Sequence, residues 1–203
     1  MKKLVTMSVV AAFLAGAASA GTIVEVSPEP PVYTPAPAPM AVNWGGGYLG
    51  VQAGYGVMTY PAFPNDQSGF TGGIFGGYRH DAGSHVWGVE AEMSAATLFG
   101  TYITPTGDEL KYGFGLYLTA GVPVSEDRRT LLSFSAGPSM VISEFGGNTD
   151  TSFGVMVGAG LEHMMTDSVI LRGGVRYGYS PSLGNANITT HSYGFGAGVA
   201  FRF

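Results

Sequence analysis

The sequence contains no cysteine, so no disulfide staples it, and neither thiol chemistry nor a cysteine-ligated zinc is open to it. Beyond the first twenty residues no stretch approaches the ~18 consecutive apolar residues that a membrane-crossing helix needs. Charge is scarce, at 11% of residues, and the formal net charge is −5. Of the lysines, two are Lys2 and Lys3 and the third is Lys111. A basic patch, the electrostatic footprint of a nucleic-acid binder, is therefore lacking, and no nucleic-acid partner is expected. Glycine is what the chain has in excess: 33 residues, about twice the ordinary share of roughly 7%.

The amino end has the order of an export signal. Lys2 and Lys3 precede an apolar run, Leu4 to Ala17, and Ala18-Ser19-Ala20 supply small residues for cleavage before Gly21. Residues 1–20 are thus expected to be a signal peptide, and its removal takes the formal charge from −5 to −7. Residues 21–43 are expected to form a flexible periplasmic segment. Its proline-rich part, Ser27–Pro39 (SPEPPVYTPAPAP), would sample extended polyproline conformations and reach roughly 40 Å. A disordered tether is the plain reading, with protein or cell-wall contact as the alternative.

The last eleven residues, Tyr193–Phe203, read YGFGAGVAFRF. Alternate side chains of a strand face opposite ways. One face then carries Tyr193, Phe195, Ala197, Val199, Phe201 and Phe203, and the other Gly194, Gly196, Gly198, Ala200 and Arg202. Rings at both ends of an apolar face suit a strand that crosses a bilayer, where aromatic residues settle at the two interfaces.

From Trp44 on, the chain resolves into eight such segments: 47–58, 68–79, 85–95, 111–122, 131–142, 152–163, 169–179 and 190–203. None of the residues assigned to the outward faces is charged. With the amino end on the periplasmic side, Tyr55, Phe70, Tyr112, Phe114, Phe153, Tyr177, Tyr179, Tyr193 and Phe195 fall at one rim. Tyr78, Trp87, Phe134, Phe201 and Phe203 fall at the other. Short periplasmic links (His80–Ser84, Pro123–Arg129, Met164–Ser168) alternate with somewhat longer external ones (Thr59–Gln67, Ala96–Leu110, Ser143–Thr151, Ser180–Thr189), the usual arrangement in outer-membrane barrels. Pro138 lies within a strand, where it removes a ladder donor and implies a bulge or local break.

The same parity sends Arg79, Glu90, Glu92, Glu162, Arg172, Arg176 and Arg202 inward. Buried charges persist when paired, so a lumenal network is expected: Glu90 and Glu92 at mid-height with Arg176, and Glu162 lower, with Arg79, Arg172 and Arg202. An eight-stranded barrel is just wide enough for side chains to fill. Inward glycines on the first, sixth and last strands would make room for arginines and relieve the tight curvature.

With these features the chain resembles the small outer-membrane β-barrel proteins of Gram-negative bacteria, of the opacity-protein and OmpA-transmembrane-domain type. The resemblance covers Trp44–Phe203 and is carried by the terminal Phe201-Arg202-Phe203, by WGVEAEM (Trp87–Met93) and by GVMVGAGLEH (Gly154–His163). It implies an all-β, eight-stranded antiparallel transmembrane up-and-down β-barrel over residues 44–203. It also implies that Tyr193, Phe195, Phe201 and Phe203 serve as an assembly signal read transiently by the barrel assembly machinery. Lipid and lipopolysaccharide of the outer membrane would be its other partners, and a monomer is expected. Unlike two-domain members of that type, it is expected to carry no peptidoglycan-binding domain after the barrel.

Chemistry at a site is weakly supported. His191 and Ser192 are adjacent, so on a strand they face opposite ways, and His80, His85 and His163 fall at the periplasmic rim, against a hydrolytic triad. Glu90 and Glu92 invite a carboxylate dyad, but four inward arginines argue for structural pairing. Glu144, Asn148 and Asp150 are the candidate metal ligands and read better as a solvated loop. A soluble lipocalin-like barrel would invert the pattern, apolar inside and charged outside. No catalytic residue, metal or cofactor is therefore expected. The expected function is a non-enzymatic integral outer-membrane protein that supports envelope integrity and presents short surface loops. A narrow solute channel and loop-mediated adhesion or recognition are the alternatives.

Overall fold

The structure is a computed structural model that describes residues 42–61, 66–95, 102–103, 109–145, 147–183 and 188–203. The expected signal peptide, nearly all of the proline-rich segment and most of the Ala96–Leu110 link lie outside the described residues.

Eight long strands follow one another: β1 (Gly46–Thr59), β2 (Gln67–Asp81), β3 (Val86–Ala95), β4 (Glu109–Pro123), β5 (Thr130–Phe145), β6 (Asn148–Met164), β7 (Val169–Leu183) and β8 (Ile188–Arg202). Each pairs antiparallel with the next, and β8 pairs antiparallel with β1, so the sheet closes into a cylinder. Closure matters because lipid offers no partner to an open strand edge. A two-residue strand, Tyr102–Ile103, pairs with Leu110 and Glu109. Among the described residues there is no helix.

The alternation read from the sequence is the alternation of the wall. Leu118 is 71% exposed, Phe195 64% and Tyr78 62%, and each lies on a face with no charged neighbour of its own parity. At one rim Tyr55 stands opposite both Phe70 and Phe195, and its ring meets Phe70 edge-on at 5.0 Å. Tyr177 stands opposite Tyr193, their rings 5.3 Å apart. At the other rim Ala120 separates Trp87 from Phe134. The periplasmic turns and the strand ends beside them, Asp81 included, lie beyond this lower girdle.

The strands run further at the outer end than apolar alternation indicates. Ser143–Thr151 is not a loop: the β5–β6 ladder continues until Phe145 faces Asn148, and Gly147 turns the chain with a φ of 85°. The described residues of Ser180–Thr189 are likewise strand, with Leu183 opposite Ile188 after an irregularity. Past the membrane surface a strand need not alternate apolar and polar residues, so composition no longer marks it.

Pro138 breaks the ladder without bulging it. Its register with β6 is continuous, opposite Val155, while the β4 ladder is interrupted between Gly115–Ser139 and Leu118–Ala136 with no shift. The bulge lies at Lys111, between the Leu110 and Tyr112 pairs. It reverses the parity and turns Leu110 inward, where it is buried opposite the buried Ser143.

The inward glycines serve both space and close strand approach: Gly158 leaves room beside the Arg176 side chain, and Gly50 and Gly198 beside the Phe75 ring. A Cβ at Gly54, Gly160, Gly174 or Gly196 would lie 2.6–2.9 Å from a backbone carbonyl oxygen of the neighbouring strand. On this tightly coiled wall the backbones themselves fill the space.

Candidate functional site

The lumen is built in storeys. Its floor, at the periplasmic end, is apolar: Trp44, Tyr48, Val86, Leu131, Met164, Ile170 and Ala200 form one buried cluster. These are the inward positions nearest the periplasmic turns, with Trp44 just ahead of β1.

Above the floor lies a layer of ion pairs. Arg79 from β2 donates two hydrogen bonds across the cylinder to Glu162 on β6, at 2.7 and 2.9 Å. Glu90 on β3 accepts from Arg172 on β7 at 2.7 Å and from the Tyr48 hydroxyl at 2.8 Å, and lies 4.0 Å from Arg79. Two rings carry the guanidinium faces: Arg172 sits 3.2 Å above Phe75 and Arg79 4.3 Å above Tyr48. One step further out, Arg176 pairs with Glu92, and the Gln52 side-chain carbonyl accepts from both Arg172 and Arg176. A cavity of about 290 Å³ runs through the lumen, lined by the charged pairs themselves and by hydroxyls that include Ser94, Ser135, Ser139, Ser152 and Ser192. The buried Thr119 Oγ1, also on its lining, has no hydrogen-bond partner among the described residues.

Six of the seven expected lumenal charges meet in this network, with two changes of partner. Glu90 joins the lower layer with Arg79 and Arg172, leaving Glu92 with Arg176. Arg202 is not part of it. Although its parity is inward, it is the last residue of β8 and emerges below the floor, donating to the carbonyls of Asn43, Gly45 (2.9 Å) and Asp167 (3.2 Å). The lumenal network is therefore balanced, three arginines against three glutamates. Tyr48, Gln52, Phe75 and Tyr117 complete it. The inward parity of Tyr48, Gln52 and Phe75 was the signal that could have found them.

The other candidates are dispersed. His191 shares a 2.8 Å hydrogen bond with the Tyr177 hydroxyl on the exterior, while Ser192 faces inward against Gly178. His80 packs on Trp87, His85 meets Ser84, and His163 meets Thr130 across the strands. Glu144 lies 3.7 Å from Lys111, which also pairs with Glu109. The lysine thus separates two glutamates that face each other across β4 and β5. Asp150 Oδ1 accepts the Thr151 N–H at 2.9 Å, and Glu144, Asn148 and Asp150 stand on hairpin strands instead of a loop. Tyr193, Phe195, Phe201 and Phe203 are all exposed on the outer face.

At the periplasmic mouth, Asp81 accepts the N–H groups of Trp44 and Gly83, and its two carboxylate oxygens share the Nη2 amino group of Arg128 at 2.9 and 3.0 Å. Burial pushes its carboxyl up, but the two N–H donors and the guanidinium outweigh this and hold its pKa below the ordinary aspartate value.

Comparison with known proteins agrees with this architecture. Residues 9–201 match the family described as outer membrane protein beta-barrel domain. The chain is 32% identical over 159 residues to a 22 kDa outer membrane protein of Rhizobium leguminosarum bv. viciae, covering 70% of this chain and 67% of that protein. It is 29% identical over 196 residues to the 25 kDa outer-membrane immunogenic protein of Brucella abortus, covering 92% and 87%. Among solved structures, Neisserial surface protein A superposes with a TM-score of 0.60 at 21% identity, over 77% of this chain and 97% of that one. Closed antiparallel wall, apolar exterior and relatives agree: this is an integral outer-membrane protein, and the chain belongs to the outer membrane protein β-barrel domain family.

Proposed function

We propose that the barrel is a non-enzymatic structural protein of the outer membrane, one that supports the envelope and presents short surface connections while passing little or no solute. The observation that carries this reading is the filled lower lumen. An apolar floor lies beneath two levels of paired charges, and each guanidinium of the network is engaged by a carboxylate. The carboxylates of Glu90 and Glu92 are held by arginines, which leaves no free acid of a catalytic dyad.

The exposed apolar wall is the surface for lipid and lipopolysaccharide. The rings of Tyr193, Phe195, Phe201 and Phe203 are what the assembly machinery would read during insertion. The cavity of about 290 Å³ among the paired charges and hydroxyls favours the second reading, a narrow channel, because it supplies open space within the lumen for part of such a path. Conductance of the purified barrel in planar lipid bilayers separates the two. A plugged lumen gives no sustained single-channel current, and a steady current in the wild-type protein would overturn the structural reading.

A further inference from the structure

β1 begins at Gly46, yet the chain ahead of it stays under the barrel. Val42 and Trp44 are buried in the floor cluster, Trp44 only 1% exposed. The turn that brings them there occurs at Gly46, whose φ of 123° is one that residues with side chains rarely adopt.

Polar bonds from three sides hold the segment. The Trp44 indole N–H donates to the Arg128 carbonyl at 2.8 Å, and its backbone N–H to Asp81 at 2.9 Å. The Arg128 guanidinium spans Asp81, the Gly83 carbonyl and, at 3.4 Å, the Val42 carbonyl. Arg202 donates to the carbonyls of Asn43 and Gly45. Among the described residues Arg128 is the single non-glycine residue with a positive φ, 58°. Such a conformation persists where the surroundings over-determine it, and here four groups converge on one side chain and one carbonyl.

We propose that Val42–Gly45 is a strap, hinged at Gly46 and buckled by Arg128, that stoppers the periplasmic mouth and swings off it while the cylinder stays closed. The strap contributes no pair to any strand ladder, so its release leaves intact the hydrogen bonds that close the wall. Its departure withdraws Trp44 and uncovers the floor residues Leu131, Ile170 and Ala200 from below. Exposure of the floor to the periplasm is then set by this short segment, while the ion pairs above it still fill the bore.

The absence of cysteine makes a direct test possible. Ala200→Cys places a single thiol behind the strap, at a position 4% exposed. Its labelling rate with a water-soluble maleimide is measured on the full-length barrel in detergent micelles. Arg128→Gly keeps a residue suited to positive φ and removes the whole side chain, its guanidinium included, while the main-chain carbonyl that receives the Trp44 indole N–H stays. It should raise the rate at least tenfold while the heat-dependent gel shift of the closed barrel is unchanged. Arg129→Ala, on the same turn but bonded to Met164 and Asp167 instead, should leave the rate as it was. An unchanged rate in Arg128→Gly would overturn the proposal. So would an equal rise in Arg129→Ala, or a rise accompanied by loss of the gel shift, which would make the segment part of barrel closure.

Discussion

Removing the Arg79 guanidinium should leave Glu162 as an orphaned charge, and the consequence can be worked out from the lumen. The two side chains are 4% and 6% exposed and joined by two short hydrogen bonds. In Arg79→Met, Glu90 keeps Arg172 and Tyr48. Glu162, by contrast, has no second cation within ion-pair distance among the described residues. Breaking a buried pair by deleting one partner costs about 3–5 kcal/mol, or some two to three and a half decades in the folding equilibrium. Adding Glu162→Leu removes the orphan, and apolar replacement of a whole buried pair is often neutral or stabilising by about 1–4 kcal/mol. The double variant should therefore be at least ~3 kcal/mol more stable than Arg79→Met alone. Urea unfolding of the barrel refolded in lipid vesicles, followed by tryptophan fluorescence and by gel mobility, measures both. If Arg79→Met unfolds within about 0.5 kcal/mol of wild type, or the second change brings no recovery, Glu162 does not depend on Arg79. The account of the lower lumen as a paired-charge plug then fails.

Alanine at Glu90, Glu92 or Arg176 should unlock the plug locally and raise planar-bilayer current above the wild-type baseline. Leu118→Arg, in the middle of the exposed belt, should cost about 2–4 kcal/mol in the same unfolding assay. Gly160→Ala pushes a methyl to 2.7 Å from the Gly173 carbonyl oxygen and should cost about 1–3 kcal/mol. Gly173→Ala, with nothing nearer than 3.8 Å and an outward position, should stay within about 0.5 kcal/mol of wild type. Because the Asp81 carboxyl is held below its ordinary pKa when folded, its contribution is present above about pH 4 and is lost as pH falls through the folded value. In a Trp87→Phe background, acid titration should thus make Trp44 more quenchable by acrylamide, and Asp81→Asn should flatten that response.

Strand number, order and facing were legible because one rule, no charge toward lipid, acts on every strand between the girdles. Phe114, Leu116 and Leu118 against Gly113, Gly115 and Tyr117 show it on β4. The rule is silent where lipid ends, which is why Ser143–Thr151 looked like a loop although Phe145 pairs with Asn148. Parity gives the side of a residue but not its height. Arg202 was placed with the lumenal charges for that reason, when its position at the end of β8 puts it beneath the floor. A single extra residue defeats parity altogether, as the bulge at Lys111 does for Leu110. The floor itself was hidden by its composition. Trp44, the expected first residue of the barrel, standing between a proline-rich stretch and a run of glycines, was the available sign that Val42 and Asn43 before it also pack with the barrel.

The collision of would-be methyl groups with carbonyl oxygens along the inner wall bears on how such a protein diversifies. Where glycines such as Gly54, Gly160, Gly174 and Gly196 line it, main chain lies against main chain, so single substitutions there cannot narrow the bore and the spacing of the strands stays fixed. Drift is instead channelled to the hydrocarbon-facing positions and the outermost turns. A lineage that acquired a wider bore would have to add strands, a step that point mutation does not supply.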